Sequence, residues 1–339
     1  MLGGVVATRT AAARGSDDVR LLLRAARLYY VQDLTQAEVA SRLGVSRPTA
    51  GRLIARARDR GIVRIDVGLP DDAEAPVFAE LEGVLESTYG LHEVVVVPAA
   101  PDNEDAILAR LGAAAADLLT RRLGRDDRLG LAWGATMAAM TDALPQGAAQ
   151  CAEVVQLDGS TSSVAYRTRG EYIINHSADQ LGATPYPLSA PLFADPATVR
   201  SLRKDSLISQ TIDRGRACDI AMFSVGDLTT ASTLLYGSFI DPDVHASLVA
   251  SGAVGDACGR YFGIDGADIE TPLAKHTVAV ELDQIRACPC TVVVAGGERK
   301  HRAILGTLRG GLADVLVTDD AVARWLLDQT DNATQEGAP

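Results

Sequence analysis

Three features of the sequence predict an α/β chain with a separate helical head. From residue 92 onward, short runs of aliphatic and β-branched residues alternate with helical segments, the pattern of a parallel sheet covered on both faces. Ahead of them, residues 34–61, LTQAEVASRLGVSRPTAGRLIARARDRG, have the spacing of a helix-turn-helix. Charge divides the chain at the same place. Residues 1–66 hold 12 Arg, no Lys and six acids, net +6, while the whole chain carries −12, leaving −18 for the remainder. A basic head on an acidic body confines attraction for a polyanion to the head.

Within the head, residues 1–16 are small and polar without periodicity, and a disordered tail is expected. Val19, Leu22, Leu23, Ala26 and Tyr30 fall at helical spacing and predict a first helix over 17–31. Thr35 is placed to cap a short second helix, with Glu38 three residues on completing a capping box. Gly44 then stops it, because glycine tolerates the left-handed backbone that follows a helix end. Ser46 caps a third helix, in which Pro48 sits early enough that its missing N–H removes no bond. Ala50, Leu53, Ile54 and Ala57 can face inward, leaving Arg47, Thr49, Arg52, Arg56 and Arg58 largely outward. A helix that reads the major groove needs that division between an apolar anchor and a row of donors. The expected contacts to double-stranded DNA are therefore Thr35, Gln36, Ser46, Arg47, Thr49, Arg52 and Arg56. An ordinary helical hairpin with a solvated basic face would explain the charge, but not its coincidence with both caps and the glycine turn. Residues 62–67 alternate like a strand, as a wing or a connector. Residues 68–76, GLPDDAEAP, are a linker by composition.

The body, residues 77–328, begins with a helix over 77–89 and a strand over 92–98, HEVVVVP. Further strands are expected at 128–132, 153–157, 218–225, 291–295 and 314–318. Helices are expected near 103–123, 135–143, 196–214, 243–251, 298–309 and 319–328, with a disordered tail over 329–339. Five scattered cysteines make no disulfide framework, and Cys288 and Cys290 lack the second cluster that a metal site needs. Neither metal nor cofactor is expected. No segment has the length of a signal peptide h-region or a membrane span, so a soluble cytoplasmic protein is expected.

Three strand-to-helix junctions resemble one another: Ala132-Trp133-Gly134-Ala135-Thr136, Ala295-Gly296-Gly297-Glu298-Arg299-Lys300 and Val317-Thr318-Asp319-Asp320. In an open parallel sheet all three lie at the carboxyl edge, where ligands bind. Glycines admit close backbone approach, helix starts favour anions, and Lys300 adds a point charge. Gly226-Asp227 and the stretch from Gly252 to Asp256 are expected to form loops closing over that edge, with Asp256 able to accept from sugar hydroxyls or, equally, to serve a turn.

The motifs LTQAEVASRLGVSRPTAGRLIARARDRGIVRIDV, LGLAWGATM, SAPLFADPATVRSLRKD, SGAVGDACGRYF and VVVAGGERKHRAILGTLRGGLADVLVTDDAVA resemble the SorC/DeoR family of bacterial sugar-responsive transcriptional regulators over about residues 20–325. The resemblance implies a winged-type helix-turn-helix and a Rossmann-like sugar-binding domain of the glucosamine-6-phosphate isomerase-like type. It further implies homo-oligomers, dimers or tetramers, and sugar, sugar-phosphate or polyol effectors. By position it assigns Gly134, Thr136, Gly296, Gly297 and Lys300 to the phosphate side, Asp256 to the sugar and Phe193 to the pocket lining. One departure stands out: Asp158 occupies a place where relatives often carry an uncharged residue. Facing the pocket, it would disfavour a nearby phosphate and favour a neutral polyol.

A regulator whose effector shifts the heads on an operator is thus the leading reading. A sugar-phosphate isomerase or aldolase with an appended DNA head is the alternative, using Lys300 for a Schiff base or Asp256 as a base. No second titratable partner is evident for it. A purely architectural DNA protein does not account for a body large enough to hold a pocket.

Overall fold

The computed structural model describes residues 12–64, 78–100, 103–160, 166–229, 234 and 240–336. The chain divides into two compact units, residues 1–73 and 74–339.

In the head, α1 (Ala12–Ala26) runs on through one π-type turn at Arg27–Val31. It starts at Ala12, so residues 12–16 are helical and not part of a tail; residues 1–11 lie outside the described residues. The second and third helices, α2 (Gln36–Leu43) and α3 (Arg47–Asp59), follow with both predicted caps in place. Thr35 and Glu38 satisfy each other's backbone N–H groups, and Gly44 adopts φ 68°. Ser46 Oγ accepts from the Thr49 N–H at 3.4 Å. Such a cap contributes about 1 kcal/mol. Leu22, Ala25, Val39, Ala50, Leu53, Ile54 and Ala57 bury one small core among the three helices. Ile62–Arg64 form a bend and not the start of a wing strand; the rest of that segment and the linker lie outside the described residues.

In the body, α4 (Ala79–Tyr89), β1 (Glu93–Val97), α5 (Glu104–Arg122), β2 (Arg128–Leu131), α6 (Ala135–Ala143) and β3 (Glu153–Gln156) come in the predicted order. Then follow α7 (Gly170–Leu181), β4 (Thr184–Tyr186), α8 (Pro196–Leu202), α9 (Ser206–Arg216), β5 (Ile220–Phe223) and β6 (Gly226–Asp227). The chain continues with α10 (Pro242–Ala250), β7 (Ala253–Ala257), β8 (Arg260–Gly263), α11 (Leu282–Arg286), β9 (Cys290–Val294), α12 (His301–Arg309), β10 (Val315–Asp319) and α13 (Asp320–Glu336). Three expectations change. The helix expected over 196–214 is two, because Asp205 caps a fresh start by accepting from Leu207 and Ile208 N–H. The last helix extends to Glu336. Gly226-Asp227 and the stretch from Gly252 to Asp256, both expected as loops, instead supply β6 and most of β7 in a small antiparallel sheet, β6-β7-β8.

Among the described residues the main sheet has seven strands, all parallel, in the order β1-β10-β9-β5-β2-β3-β4. Side chains alternate between two cores. Val292, Val294, Val315 and Val317 face α5, α6 and α7, while Val293 and Leu316 face the layer containing α4, α11, α12 and α13. α5 and α6 pack so closely that a Cβ on Gly112 would stand 2.5 Å from the Ala139 backbone. From β2 the chain winds outward through β3 and β4, and from β5 the other way through β9 and β10. The order therefore reverses between β2 and β5, the place where open α/β sheets bind ligands.

Candidate functional site

The carboxyl ends of β2, β3, β5 and β9 surround a cavity of about 410 Å³. Gly134, Thr136, Asp256 and Lys300, expected in a pocket, all line it, together with Asp158, Ser224, Asp227 and Leu192. Gly134 has φ 127°, which carries the chain from β2 into α6. The first N–H groups of a helix have no partner within it, so the start of α6 presents donors to this space. Gly296 and Gly297 line an adjoining cavity of about 460 Å³, which shares Glu104, Leu108, Thr136, Arg299 and Lys300 with the first. The glycine pair does not offer both N–H groups to a ligand: Gly297 N–H donates to Asp319 Oδ2 at 2.7 Å. Asp319 is itself buried and caps α13 by accepting from Ala321 and Val322 N–H.

Lys300 reaches Ser224 Oγ at 3.1 Å. Burial pushes its ammonium below the usual lysine range, while Asp227 and Asp256 hold it up. Asp256 sits on β7, paired with Gly226 of β6 so closely that a Cβ there would lie 2.0 Å from its carboxylate. Burial raises the Asp256 carboxyl to about 6, with the Gly259 N–H and Lys300 pulling the other way. Asp227 is occupied by its bonds to Thr229. Arg299 is paired with Glu104 at 2.7 Å on the rim.

Phe193 is not in this cavity. It lines a separate apolar one of about 400 Å³ with Ile240, Val244, Leu248 and Leu273, while its neighbour Leu192 reaches the first. Successive extended residues point to opposite sides, which is why the two part company. Ser224 was missed by the sequence reading; its signal was its place one residue beyond β5. The Cys288 thiol donates to the Cys218 and Cys290 carbonyls and packs at the entry to β9.

In the head, Arg47 and Arg52 are exposed on α3 and have no carboxylate partner among the described residues. Arg52 reaches Thr49 Oγ1 at 3.4 Å, and Ser46 and Thr49 hydroxyls are 2.8 Å apart. Thr35 is committed to its cap, and Gln36 lies across Gly51, where a Cβ would stand 3.3 Å from its Oε1. Arg56 is paired with Asp18 of α1.

The Sugar-bind family, a sugar-binding domain, matches residues 76–328, and the Sigma-70 region 4 family matches residues 27–60. The chain is 33% identical over 311 residues to the deoxyribonucleoside regulator of Bacillus subtilis, covering 91% of this chain and 97% of that protein. The chain belongs to the SorC/DeoR-type sugar-binding transcriptional regulators. It is also 30% identical to the sorbitol operon regulator of Klebsiella pneumoniae, over 92% of this chain and 99% of that one. The crystal structure of the full-length regulator SorC from Klebsiella pneumoniae matches with a TM-score of 0.68 at 29% identity, covering 92% of this chain and 99% of that chain. The SorC/DeoR family comprises transcriptional regulators and not enzymes, which sets aside the isomerase and aldolase reading. Among the described residues, no helix is long and apolar enough to cross a membrane.

Proposed function

We propose that this regulator controls a carbohydrate or polyol operon through an effector held at the β2/β5 reversal of its main sheet. The head, residues 17–67, reads operator DNA, with Arg47, Thr49 and Arg52 toward the bases and phosphates and Thr35, Gln36 and Ser46 fixing the helices. The body, residues 77–328, takes a sugar, sugar phosphate or polyol. The convergence of Gly134, Thr136, Asp256 and Lys300 on one cavity carries this reading. A phosphate fits best between the start of α6 and Lys300, where backbone donors and an ammonium meet. Hydroxyls fit the carboxylate of Asp256. A single head offers few base contacts, so operator affinity calls for heads paired through a dimer or tetramer, acting in the cytoplasm.

A thermal-shift panel of sugars, sugar phosphates and polyols tests the site. A ligand at 100 times its dissociation constant adds about 2.7 kcal/mol to stability. At least one member is expected to raise the melting temperature and to change operator affinity in fluorescence anisotropy. A flat response across all three classes overturns the effector reading, and light scattering showing a monomer at micromolar concentration overturns the assembly.

A further inference from the structure

Among the described residues, the one buried carboxylate oxygen without a hydrogen-bond partner belongs to Asp158. Asp158 is only 3% exposed, and the oxygen is its Oδ1. Burial drives its carboxyl well above the usual range; the Trp133 backbone N–H opposes this and Asp256 reinforces it. A carboxylate left this way destabilises the fold, and natural cores rarely keep one without a use.

Its position is not slack. The Gln156 side chain donates to the Asp158 carbonyl at 2.6 Å and to Ser160 Oγ at 2.9 Å, and accepts from Leu188 N–H at 3.0 Å. Gly159 N–H donates to the Val278 carbonyl at 2.8 Å, and Ser160 N–H to the Ala190 carbonyl at 2.9 Å. A Cβ on Gly159 would lie 2.5 Å from the Pro191 backbone. The segment is thus pinned from three directions, and the pinning holds the carboxylate in the cavity wall, on the side shared with Asp256, Cys258 and Gly259. Among the described residues the one ammonium in the lining, Lys300, already answers to Asp227, Asp256 and Ser224.

We propose that Asp158 is a specificity-determining residue, pre-positioned to hydrogen-bond a hydroxyl at the uncharged end of the effector and to turn a phosphate away from that end of the cavity. The inference rests on the effector site proposed above and fixes the orientation within it: hydroxylated end at Asp158, any phosphate at Lys300 and the start of α6. An ionised acid repels a phosphate but accepts from a hydroxyl, and a protonated one both gives to and receives from a hydroxyl while it can only give to a phosphate.

The test compares full-length wild type, Asp158→Asn and Lys300→Met by calorimetric titration with sorbitol, erythritol, sorbitol 6-phosphate and deoxyribose 5-phosphate. Asp158→Asn is expected to shift the ratio of neutral-polyol to sugar-phosphate affinity toward the phosphates by at least tenfold. Binding that responds to Lys300→Met but keeps that ratio in Asp158→Asn overturns the role of Asp158 and leaves the site standing. Binding indifferent to both overturns the site itself. The ligand-free proteins supply a second measurement, decisive if none of the four compounds binds. A residue kept for a ligand weakens the empty protein, so Asp158→Asn is expected to melt higher than wild type. A lower melting temperature makes Asp158 a structural residue and overturns the proposal.

Discussion

The Arg56 guanidinium lies 2.8 Å from the Asp18 carboxylate, and Arg60 reaches the same oxygen at 3.3 Å. The contact ties α3 to α1 at the surface, with the Arg56 and Asp18 side chains 49% and 27% exposed. A pair in that much water contributes about 0.2–1 kcal/mol. Arg56 therefore meets DNA already carrying an anion, unlike Arg47 and Arg52. Asp18→Asn is expected to lower head stability by less than about 1 kcal/mol and to strengthen binding to random-sequence DNA at low salt, since two guanidinium groups are released toward phosphates. Anisotropy titrations across a salt series check this; unchanged or weaker random-DNA binding contradicts it.

Arg52 stands just over one helical turn into α3, exposed and within 3.4 Å of Thr49 Oγ1. Arg52→Ala is expected to weaken specific binding by roughly 1–3 kcal/mol and to relax discrimination at one base pair. Equal loss on operator and random DNA would reduce Arg52 to a phosphate contact.

The head was legible because its signals are local: Thr35 with Glu38, Gly44 and Ser46 each act within four residues. The parallel strands were legible because burial on both faces leaves unbroken runs such as residues 94–97 and 292–294. What escaped depends on distant neighbours. Residues 253–257, AVGDA, look like a turn, yet Gly255 is small because a Cβ there would stand 2.5 Å from the Ala303 methyl of α12. α7 was overlooked although Ile173, Ile174, Ser177, Ala178 and Leu181 keep helical spacing and Gly182 ends the helix at φ 63°. Lys300 was legible from its strand-to-helix junction, whereas Asp256 was read from a stretch expected as a loop that is in fact a strand. That Phe193 lines a different cavity, and that Asp319 claims the Gly297 N–H, follows only from the three-dimensional path.

Asp256 makes stability depend on pH in a definite direction. Its carboxyl is raised by burial from 3.8 to about 6, so the folded state holds the proton more tightly than the unfolded state. Its contribution is fully present below about pH 4 and is lost as pH rises through about 6. Two pKa units correspond to about 3 kcal/mol at most. Asp256→Asn is expected to approach wild-type stability near pH 4, to gain on it between about pH 4 and 6, and to hold a constant advantage above about pH 7. Denaturant unfolding of both proteins across that range reads the difference; a wild type that gains on the variant as pH rises would reverse the sign and exclude the mechanism.

Lys300 tests where a phosphate sits. Lys300 lines both adjoining cavities, as does Thr136 at the start of α6, and its ammonium reaches Ser224 Oγ at 3.1 Å. With the Gly297 N–H taken by Asp319, the lysine and the α6 donors are what remains for an anion. Lys300→Met keeps much of the stem and removes the charge, so the fold is expected to survive. Affinity for a phosphorylated effector is expected to fall at least tenfold, about 1.4 kcal/mol. DNA affinity without effector is expected to stay within a few tenths of a kcal/mol, roughly the additivity limit for independent sites, because Lys300 belongs to the acidic body. Calorimetry with the phosphorylated sugar and anisotropy with the operator separate the two effects. Loss of DNA binding with an intact effector response would refute the assignment, whereas an effector that is a neutral polyol and binds the variant as tightly as wild type would leave Asp158 and Asp256 as the groups that recognise it.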